Sequence, residues 1–283
     1  MATFADHVKI LKVRDGYADD EMIEAFKGQD AVVLCLNHSA EHRHAALADA
    51  SIKAGVKHLV ASIYGGNLNS KSQELFPLAA KKAKLVQELR ARETAGWEWT
   101  GISCGLFFDL CVQPFSFNMQ PLLTLFSCIS NGFFGFNPSL HTGQIWDSGN
   151  TTFSATNVAT VGLAVAKVLA SPAETANRLV YISSFECSMN DILQAYKNAT
   201  NVSDWRIAHV DTDEEIESAT DNFTRTGQMM ALGRLALASM VKEGIGANFM
   251  TEGLLDNELL GLPRESESVE KTVSRVLKEK LST

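Results

Sequence analysis

The short uncharged run Ala31–Leu36 is the feature that most restricts the fold of this chain. It follows a glycine and a polar pair, in the sequence GQDAVVLCLN, and it is rich in valine and leucine. A strand without polar alternation has to be covered on both faces, as the strands of parallel sheets are. Because parallel strands are joined by crossover connections that are usually helices, the run predicts an α/β fold.

Strand and helix patterns alternate on both sides of this run. The predicted strands lie at His7–Val13, at Ala31–Leu36, within VKHLVASIYGG and within WEWTGISC. The predicted helices extend from Asp19 to Gly28, over residues 40–54, and from Pro77 to about Ala95. Three successive crossovers of one hand place these strands in one right-handed, doubly wound parallel sheet.

The chain changes character beyond Cys104. Residues 110–146 contain no Asp, Glu, Lys or Arg, and part of this stretch, CVQPFSFNMQPLLTLFSCIS, contains two prolines. It is too short and too broken by proline to span a bilayer. We expect a buried or covering loop here; the family resemblance given below implies instead that residues 111–130 are an additional and poorly ordered segment.

The remaining sequence alternates helix and strand again. Helices are predicted near Val158–Leu169, after Ser188 and from Thr212, where Glu215 completes a capping-box spacing. Strands are predicted at NRLVYISS and WRIAHV, and RESESVEKTVSRVLKEKL is typical of a closing amphipathic helix. We therefore divide the chain into a sheet region, residues 1–108, and a second α/β region, residues 109–283.

Composition argues against several classes of function. A formal net charge of -8 and a pI near 5.4 do not provide the clustered lysine and arginine that a nucleic-acid surface needs. The 5 cysteines form no C-x-x-C pair, and an odd number is typical of reduced thiols. No charged segment followed by an apolar one stands at the start of the sequence, so no secretory signal is visible. We expect a cytoplasmic protein without nucleic-acid or membrane partners.

Polar and aromatic residues follow three of the predicted strands. They are Asn37 and His38 after one strand, Ser62–Gly66 after the next, and Gly105–Phe108 after a third. In an open parallel sheet, ligands bind beyond the carboxyl ends of the strands, where these loops converge. The helix that carries Lys82 begins between two of them. A lysine partly desolvated beside an aromatic wall can exchange its proton near neutral pH, whereas the alternative is a cation on a solvated helix face.

The histidines of NHSAEHRH raise the alternative of a metal site. His38 and His42 are separated by four positions, so both could lie on one face of a helix. The sequence contains no H-E-x-x-H motif and no third ligand nearby, so we expect no metal. It also contains no G-x-S-x-G motif, which argues against a serine hydrolase of that design.

Eight segments spread over nearly the whole chain form a recognisable set: VKHLVASIYGGN, FPLAAKKAKLVQEL, WTGISCGLFFD, NGFFGFN, FSATNVATVGLAVAKVL, NRLVYISSFECSMNDIL, HVDTDEEI and LLDNELLGLP. Together they resemble the fungal branch of the NmrA-like and isoflavone-reductase-like proteins, which are atypical short-chain dehydrogenases. The resemblance implies a Rossmann-like fold and NADPH-dependent reduction of phenylpropanoid-type compounds. It also implies a general acid/base role for Lys82, because Lys82-Ala83-Lys84-Leu85 matches the K-A-x-(I/L) segment of the family.

The resemblance implies further roles around this lysine. NADP(H) is the expected cofactor, NAD(H) is the second candidate, and a small molecule is the expected substrate. The expected cofactor-binding residues are Asn37, His38, Ser62, Tyr64, Lys82, Gly105 and Phe107. An apolar substrate pocket would be lined by Phe108, Phe133 and Phe134, although core packing explains such rings at least as often. A homodimer is a candidate assembly.

One family feature is not found in the sequence. Family members begin with a strand, a loop of the G-x-x-G-x-x-G type and a helix, whereas no glycine precedes Gly16 here. The expected fold is therefore a Rossmann-like parallel sheet lacking its first β-α-β unit, with residues 1–108 as a truncated dinucleotide-binding domain. Weak NADPH binding and an unpaired edge on the Ala31–Leu36 strand are expected. The alternatives to an oxidoreductase are a non-catalytic sensor or interaction protein and an inactive gene product.

Overall fold

Strands and helices alternate along the chain in the computed structural model, which describes residues 5, 8–36, 38–112, 132–264 and 267–281, the side chains at 38, 39, 280 and 281 excepted. The strands of this part are β1 (Ala31–Val33), β2 (His58–Ala61), β3 (Glu98–Ser103), β4 (Leu106–Phe107), β5 (Thr142–Trp146), β6 (Phe153–Thr156), β7 (Arg178–Tyr181), β8 (Phe185–Cys187) and β9 (Arg206–Val210). The α-helices are α1 (Asp19–Phe26), α2 (His44–Lys53), α3 (Ser70–Leu75), α4 (Pro77–Arg90), α5 (Phe108–Cys111), α6 (Val158–Ala170), α7 (Pro172–Thr175), α8 (Met189–Thr200), α9 (Thr212–Thr226), α10 (Met229–Val241) and α11 (Val269–Leu281). A 3₁₀ helix at His38–Arg43 leads into α2.

The main sheet has four strands in the order β1-β2-β3-β7, and every neighbouring pair is parallel. Leu59 lies in register with Val32 on one side and Trp99 on the other. These three side chains are buried together with residues of α2 and α4. On the opposite face, Val60 and Ile102 pack with residues of α6. Because β2 and β3 are covered on both faces, they lack polar alternation, and the predicted α/β class is confirmed.

Helix α4 has a sequence well suited to its position. Pro77 occupies its first position, where the missing N–H is not needed for an intrahelical bond. The segment PLAAKKAKLVQELR is rich in strong helix formers. Leu85, Val86 and Leu89 are buried at helical spacing and pack against the sheet. This packing fixes the rotation of α4, and with it the direction of Lys82 in the second turn.

The second region is built around a cluster of aromatic side chains. Phe134 stacks on Phe153 with ring centroids 5.9 Å apart, and it also contacts Phe108 and Phe133. Two small sheets, β4-β6-β8 and β5-β9, belong to the same region. Edge-to-face and offset contacts of this kind add to the stabilisation that burial of the rings provides. The aromatic cluster therefore forms the core of this region.

The first predicted strand is not formed. Residues 8–13, the described part of the predicted His7–Val13 strand, have no regular secondary structure. Val8, Ile10 and Leu11 are 43%, 62% and 53% exposed. A strand is stable only when a sheet pairs with it and covers one face, and no described strand does so here. That prediction was therefore wrong for the described residues.

Helix boundaries also differ from the sequence predictions. The N-cap of α9 is Asp211 rather than Thr212, because the Asp211 carboxylate accepts the N–H groups of Asp213 and Glu214. Helix α4 ends at Arg90, earlier than predicted. Residues 113–131, which include most of the predicted additional segment 111–130, lie outside the described residues. None of the described helices has the length and apolar character that crossing a membrane requires.

Strand β1 forms one edge of the main sheet within the described part of the chain. It pairs with β2 alone there, and Val33 is 37% exposed. An edge strand presents unpaired N–H and C=O groups, which can pair with another chain. Self-association through this edge stays a prediction.

We expect Val33→Lys to weaken self-association by about threefold or more, because a lysine on an edge strand opposes pairing with a second edge. Sedimentation velocity over a range of protein concentrations measures the effect. The control is Met230→Lys, which replaces a side chain that is 52% exposed on α10. Equal effects of the two substitutions would mean that apolar exposure in general, and not the β1 edge, drives association.

Candidate functional site

Three loops meet beyond the carboxyl ends of β1, β2 and β3. The Gly65 carbonyl accepts the N–H of Cys104 at 3.0 Å and the N–H of Gly105 at 2.9 Å. The hydroxyl of Ser103 donates to the same oxygen at 2.9 Å. These bonds hold the loop after β2 against the loop after β3, so the two loops meet at one edge of the sheet.

Close packing explains why residue 105 is a glycine. Its φ of +63° lies in the left-handed region, and a Cβ there would lie 2.0 Å from the carbonyl oxygen of Ser154. Only glycine therefore lets the chain turn from β3 into β4 alongside β6. The role of Gly105 in cofactor binding stays a prediction.

Tyr64 and Phe107 form an apolar wall where the loops meet. Both residues are half-buried, and their ring centroids are 6.3 Å apart. The Tyr64 hydroxyl lies 4.0 Å from the sulfur of the exposed Cys35, which follows β1. Burial raises the pKa of Tyr64, so its phenol stays protonated near neutral pH. Side chains from all three loops thus lie close together at this edge of the sheet.

Lys82 extends from the second turn of α4 towards the loop after β2. Its Nζ donates a hydrogen bond to the Tyr64 carbonyl at 2.6 Å. The same atom lies 3.3 Å from the position that a Cβ at Gly65 would occupy. Burial lowers the pKa of Lys82, and the negative charge of Glu41 opposes that effect. The structure therefore places the Nζ of Lys82 at the loop after β2, and its role as a proton donor stays a prediction.

Ser62 and His44 hold the loop after β2 from its other side. The Ser62 N–H donates to Nε2 of His44 at 3.1 Å, and the Ser62 hydroxyl accepts the N–H of Leu36 at 3.2 Å. His44 is only 4% exposed. Burial lowers the pKa of His44 to about 4, so the ring is neutral at neutral pH. A neutral ring can accept the Ser62 N–H, which an imidazolium could not do.

A cleft of about 320 Å³ opens beside Lys82, between the 3₁₀ helix, α2 and α4. It is lined by Glu41, His42, His44, Ala45, Ser62, Lys81, Lys82, Lys84, Leu85 and Glu88. Lys84 and Glu88 form an ion pair at 3.8 Å on the surface of α4. Charged groups of both signs therefore surround the stem of Lys82 on the side of α2.

The other predicted site residues have different environments. Asn37 lies outside the described residues, and His38 begins the 3₁₀ helix, where its side chain is not described. Phe108, Phe133 and Phe134 are each at most 1% exposed and belong to the aromatic core. Phe134 packs against both Phe108 and Phe133 within this core. Their contact with a substrate stays a prediction, and an open pocket is not formed by them in the described structure.

Sequence reasoning missed two contributors to this site. His44 attracted attention only as a neighbour in a histidine cluster, although its role is to accept the Ser62 N–H. Glu41 attracted none, although its charge acts on both Lys82 and His44. The only available signal was the acidic residue inside NHSAEHRH. Among the described residues, no three His, Cys, Asp or Glu side chains are grouped as metal ligands would be.

Comparison with known proteins gives consistent matches over most of the chain. The model of a family described as NmrA-like matches residues 5–210. Oxidoreductase aprR of Aspergillus flavus is 30% identical over 277 residues, which cover 97% of this chain and 86% of that protein. Oxidoreductase poxI of Penicillium oxalicum is 27% identical over 270 residues, which cover 94% of this chain and 80% of that protein.

Solved structures share the fold. A leucoanthocyanidin reductase of Vitis vinifera in a ternary complex has a TM-score of 0.66 at 18% identity, over 92% of this chain and 83% of that one. A structure described as AtPrR2 with NADP+ and (+)pinoresinol has a TM-score of 0.65 at 17% identity, over 92% and 79%. These likenesses show the Rossmann-like architecture of NAD(P)-binding reductases.

The neutral state of His44 predicts a specific dependence of stability on pH. The pKa of about 4 in the folded chain lies below the ordinary value of 6.5, so the unfolded chain binds the extra proton between these values. Stability is therefore present above pH 6.5 and is lost as pH falls towards 4. From pH 7 to 4.5, we expect the unfolding free energy to fall by about 2 kcal/mol more in the wild type than in His44→Gln, measured by urea unfolding.

The glutamine in this variant keeps an amide oxygen that can accept the Ser62 N–H. His209→Gln is the matched control, because His209 is exposed, and it should retain the wild-type slope. Parallel pH profiles of His44→Gln and the wild type would contradict the neutral, buried state of His44.

Proposed function

The chain belongs to the NmrA-like family, and on this premise we propose that it is an NAD(P)H-dependent oxidoreductase of the isoflavone-reductase-like type, acting on a small aromatic molecule. The observation that carries the proposal is the position of Lys82, whose Nζ donates to the Tyr64 carbonyl at the edge where three loops meet and whose pKa is lowered by burial. Two relatives that match over most of the chain are named as oxidoreductases. One structural neighbour is described with NADP+ and (+)pinoresinol, which supports NADP(H) and an aromatic substrate class.

The residues at the junction of the three loops, Tyr64 and Phe107, fit the nicotinamide end of such a cofactor. Tyr64 and Phe107 offer an apolar wall on which a planar ring can lie. The exposed Cys35 lies beside this wall, with its sulfur 4.0 Å from the Tyr64 hydroxyl. The pyrophosphate end would need backbone N–H donors or a helix N-terminus. Residues 8–30, which precede β1, form α1 and no strand followed by a glycine loop. The weak NADPH binding inferred from the sequence therefore stays a prediction.

Lys82 is placed to supply the proton that a reduction consumes. A bound reduced dinucleotide supplies a hydride to the substrate. The Lys82 ammonium then donates a proton to the substrate atom that gains negative charge. Because burial lowers its pKa, Lys82 releases that proton more readily than an exposed lysine would. Tyr64 is a weaker proton donor than an exposed tyrosine, since burial raises the pKa of its phenol.

We expect Lys82→Met to lower turnover by about a hundredfold or more, because methionine keeps most of the side-chain volume but cannot donate a proton. Turnover is measured by NADPH oxidation with isoflavone-type and pinoresinol-type substrates. Lys81→Met and Lys84→Met are matched controls on the same helix, where both residues are exposed, and they should stay near the wild-type rate. An unchanged rate in Lys82→Met would remove the catalytic role.

A non-catalytic dinucleotide sensor is the second candidate. The observation that favours it is the 2.6 Å bond from Lys82 to the Tyr64 carbonyl, which gives the lysine a complete structural role without any reaction. Calorimetric titration with NADPH, NADP+, NADH and NAD+ separates the candidates when it is combined with turnover assays. Binding without turnover supports the sensor, and binding with Lys82-dependent turnover supports the oxidoreductase.

A further inference from the structure

Three side chains after β2 bind the segment that follows α10 in the second region. The donors lie at alternate positions of the chain, and the acceptors are three successive backbone carbonyls. The bonds run from Asn67 Nδ2 to Gly246 at 3.0 Å, from Asn69 Nδ2 to Ile245 at 2.7 Å, and from Lys71 Nζ to Gly244 at 2.8 Å. We call these three bonds the side-chain ladder. They join the sheet region to the second region across more than 170 positions of the sequence.

The two segments joined by the ladder also pack closely. A Cβ at residue 66 would lie 2.5 Å from Cε of Met240, which belongs to α10. Gly246 has a φ of +80°, which lies in the left-handed region that favours glycine. A Cβ there would lie 3.0 Å from Nδ2 of Asn69. Glycine at both positions therefore allows the close approach over which the ladder forms.

The ladder continues a series of bonds that begins at Lys82. The Tyr64 carbonyl accepts Nζ of Lys82 at 2.6 Å, and the next two carbonyls accept the hydroxyl of Ser103 at 2.9 and 2.8 Å. Asn67 comes directly after them and forms the first bond of the ladder. Four successive residues of the loop after β2 are thus bonded in turn to α4, to the end of β3 and to the segment after α10. A shift of the last contact would be felt at the first, because three residues of chain separate them.

The two asparagines of the ladder use the two ends of their amides for different purposes. The Asn67 Oδ1 accepts the N–H of Asn69 at 3.2 Å, and the Asn69 Oδ1 accepts the N–H of Ser72 at 2.8 Å as the N-cap of α3. The oxygens therefore serve the local turn, whereas the nitrogens reach the second region. Aspartate would keep the oxygen of each side chain and remove its N–H donor.

We propose that Asn67 and Asn69 are positioning residues, through which the second region holds the loop after β2 where the Tyr64 carbonyl receives Lys82. The inference rests on the proposed oxidoreductase function, in which Lys82 donates a proton to the substrate. Proton donation requires the donor atom to stay within hydrogen-bond reach of the reacting atom. A displacement of about 1 Å at a reacting group can lower a rate by about a hundredfold. The ladder keeps the loop, and with it Nζ of Lys82, from moving in this way.

The first test needs no turnover and uses the double variant Asn67→Asp/Asn69→Asp. The N–H groups of Cys104 and Gly105 are bonded to the Gly65 carbonyl of the same loop. We expect these two amides to exchange hydrogen about tenfold faster in the double variant, because a loop without the ladder opens more often. Hydrogen exchange followed by mass spectrometry of a peptide that contains both amides measures the effect.

Asn257→Asp is the matched control. Asn257 is 5% exposed, its Oδ1 accepts the Ser183 N–H at 3.0 Å, and its Nδ2 donates to the Ser183 carbonyl at 2.8 Å. The same substitution therefore removes the same kind of bond away from the loop, and exchange at Cys104 and Gly105 should keep its wild-type rate. Unchanged exchange in the double variant, or equal acceleration in Asn257→Asp, would overturn the proposal.

A milder substitution covers the case in which the double variant does not fold. Lys71 is exposed, and Lys71→Met removes one bond of the ladder without burying a new charge. We expect it to speed exchange at Cys104 and Gly105 by about twofold or more. Lys71→Arg keeps a donor for the Gly244 carbonyl and should stay at the wild-type rate. Equal exchange in Lys71→Met and the wild type would count against the ladder.

The second test asks whether the ladder acts through Lys82. We expect Asn67→Asp/Asn69→Asp to lower kcat by about tenfold, with a smaller change in the KM for NADPH. In a Lys82→Met chain, the same two substitutions should lower the residual kcat by less than about twofold, because a positioning residue has no effect once the group it positions is gone. A tenfold loss in both chains would show a merely structural role and overturn the proposal.

The two tests separate failure of the ladder from failure of the proposed function. If the wild-type chain turns over none of the substrates but exchange at Cys104 and Gly105 accelerates in the ladder variants alone, the oxidoreductase function fails and the holding of the loop by the second region is supported. If turnover is found and both exchange and kcat of the double variant match the wild type, the function stands and the ladder proposal is overturned.

Discussion

The arrangement of the site depends on the hydrogen bonds to the Gly65 carbonyl. This oxygen receives the N–H groups of Cys104 and Gly105 and the hydroxyl of Ser103, so pairing between β2 and β3 continues beyond the end of both strands. A buried carbonyl that lost these donors would be destabilised by about 1–3 kcal/mol. With Gly65 fixed in this way, the preceding carbonyl of Tyr64 faces α4 and meets Lys82. The loop after β2 therefore connects β2 with both β3 and α4 through hydrogen bonds.

Burial of the Lys82 ammonium group requires compensation. A desolvated charge is unfavourable unless its donors are bonded and an opposite charge lies near. The Tyr64 carbonyl supplies the acceptor, and Glu41 supplies the opposite charge. His44 adds no positive charge, because its burial keeps it neutral. The pKa of a lysine that is desolvated and lies near one carboxylate is sensitive to small changes in its surroundings. Groups with perturbed pKa values cluster at functional sites.

The sequence predicted the parts of this site that follow from local pattern. Apolar runs bounded by turns located β1, β2 and β3, and Pro77 with the following alanines located the start of α4. The rule that ligands bind beyond the carboxyl ends of parallel strands then placed Lys82 beside the right loops. Nothing in the local pattern showed that the predicted strand before α1 would lack a partner, since pairing depends on the rest of the sheet.

The contacts of the site could not be predicted in the same way. His44 and Ser62 are separated by 18 positions, and their bond exists only because the 3₁₀ helix turns the start of α2 towards the end of β2. Likewise, the sequence fits Phe108 and Phe134 equally well in a substrate pocket and in the hydrophobic core, because an apolar ring carries no signal about which side it faces. Side-chain partners distant in sequence are fixed by tertiary packing, which a local pattern does not contain.

The bond between Lys82 and Tyr64 has a further consequence for the proposed reaction. An ammonium group that gives up one proton becomes an amine with two N–H donors and one lone pair. One of these donors can stay on the Tyr64 carbonyl, so the loop after β2 keeps its position in both protonation states. The lone pair is then free to accept a proton. Because the loop does not have to rearrange between these states, Lys82 can serve as a structural tie and as a proton donor at once, and the two roles do not compete.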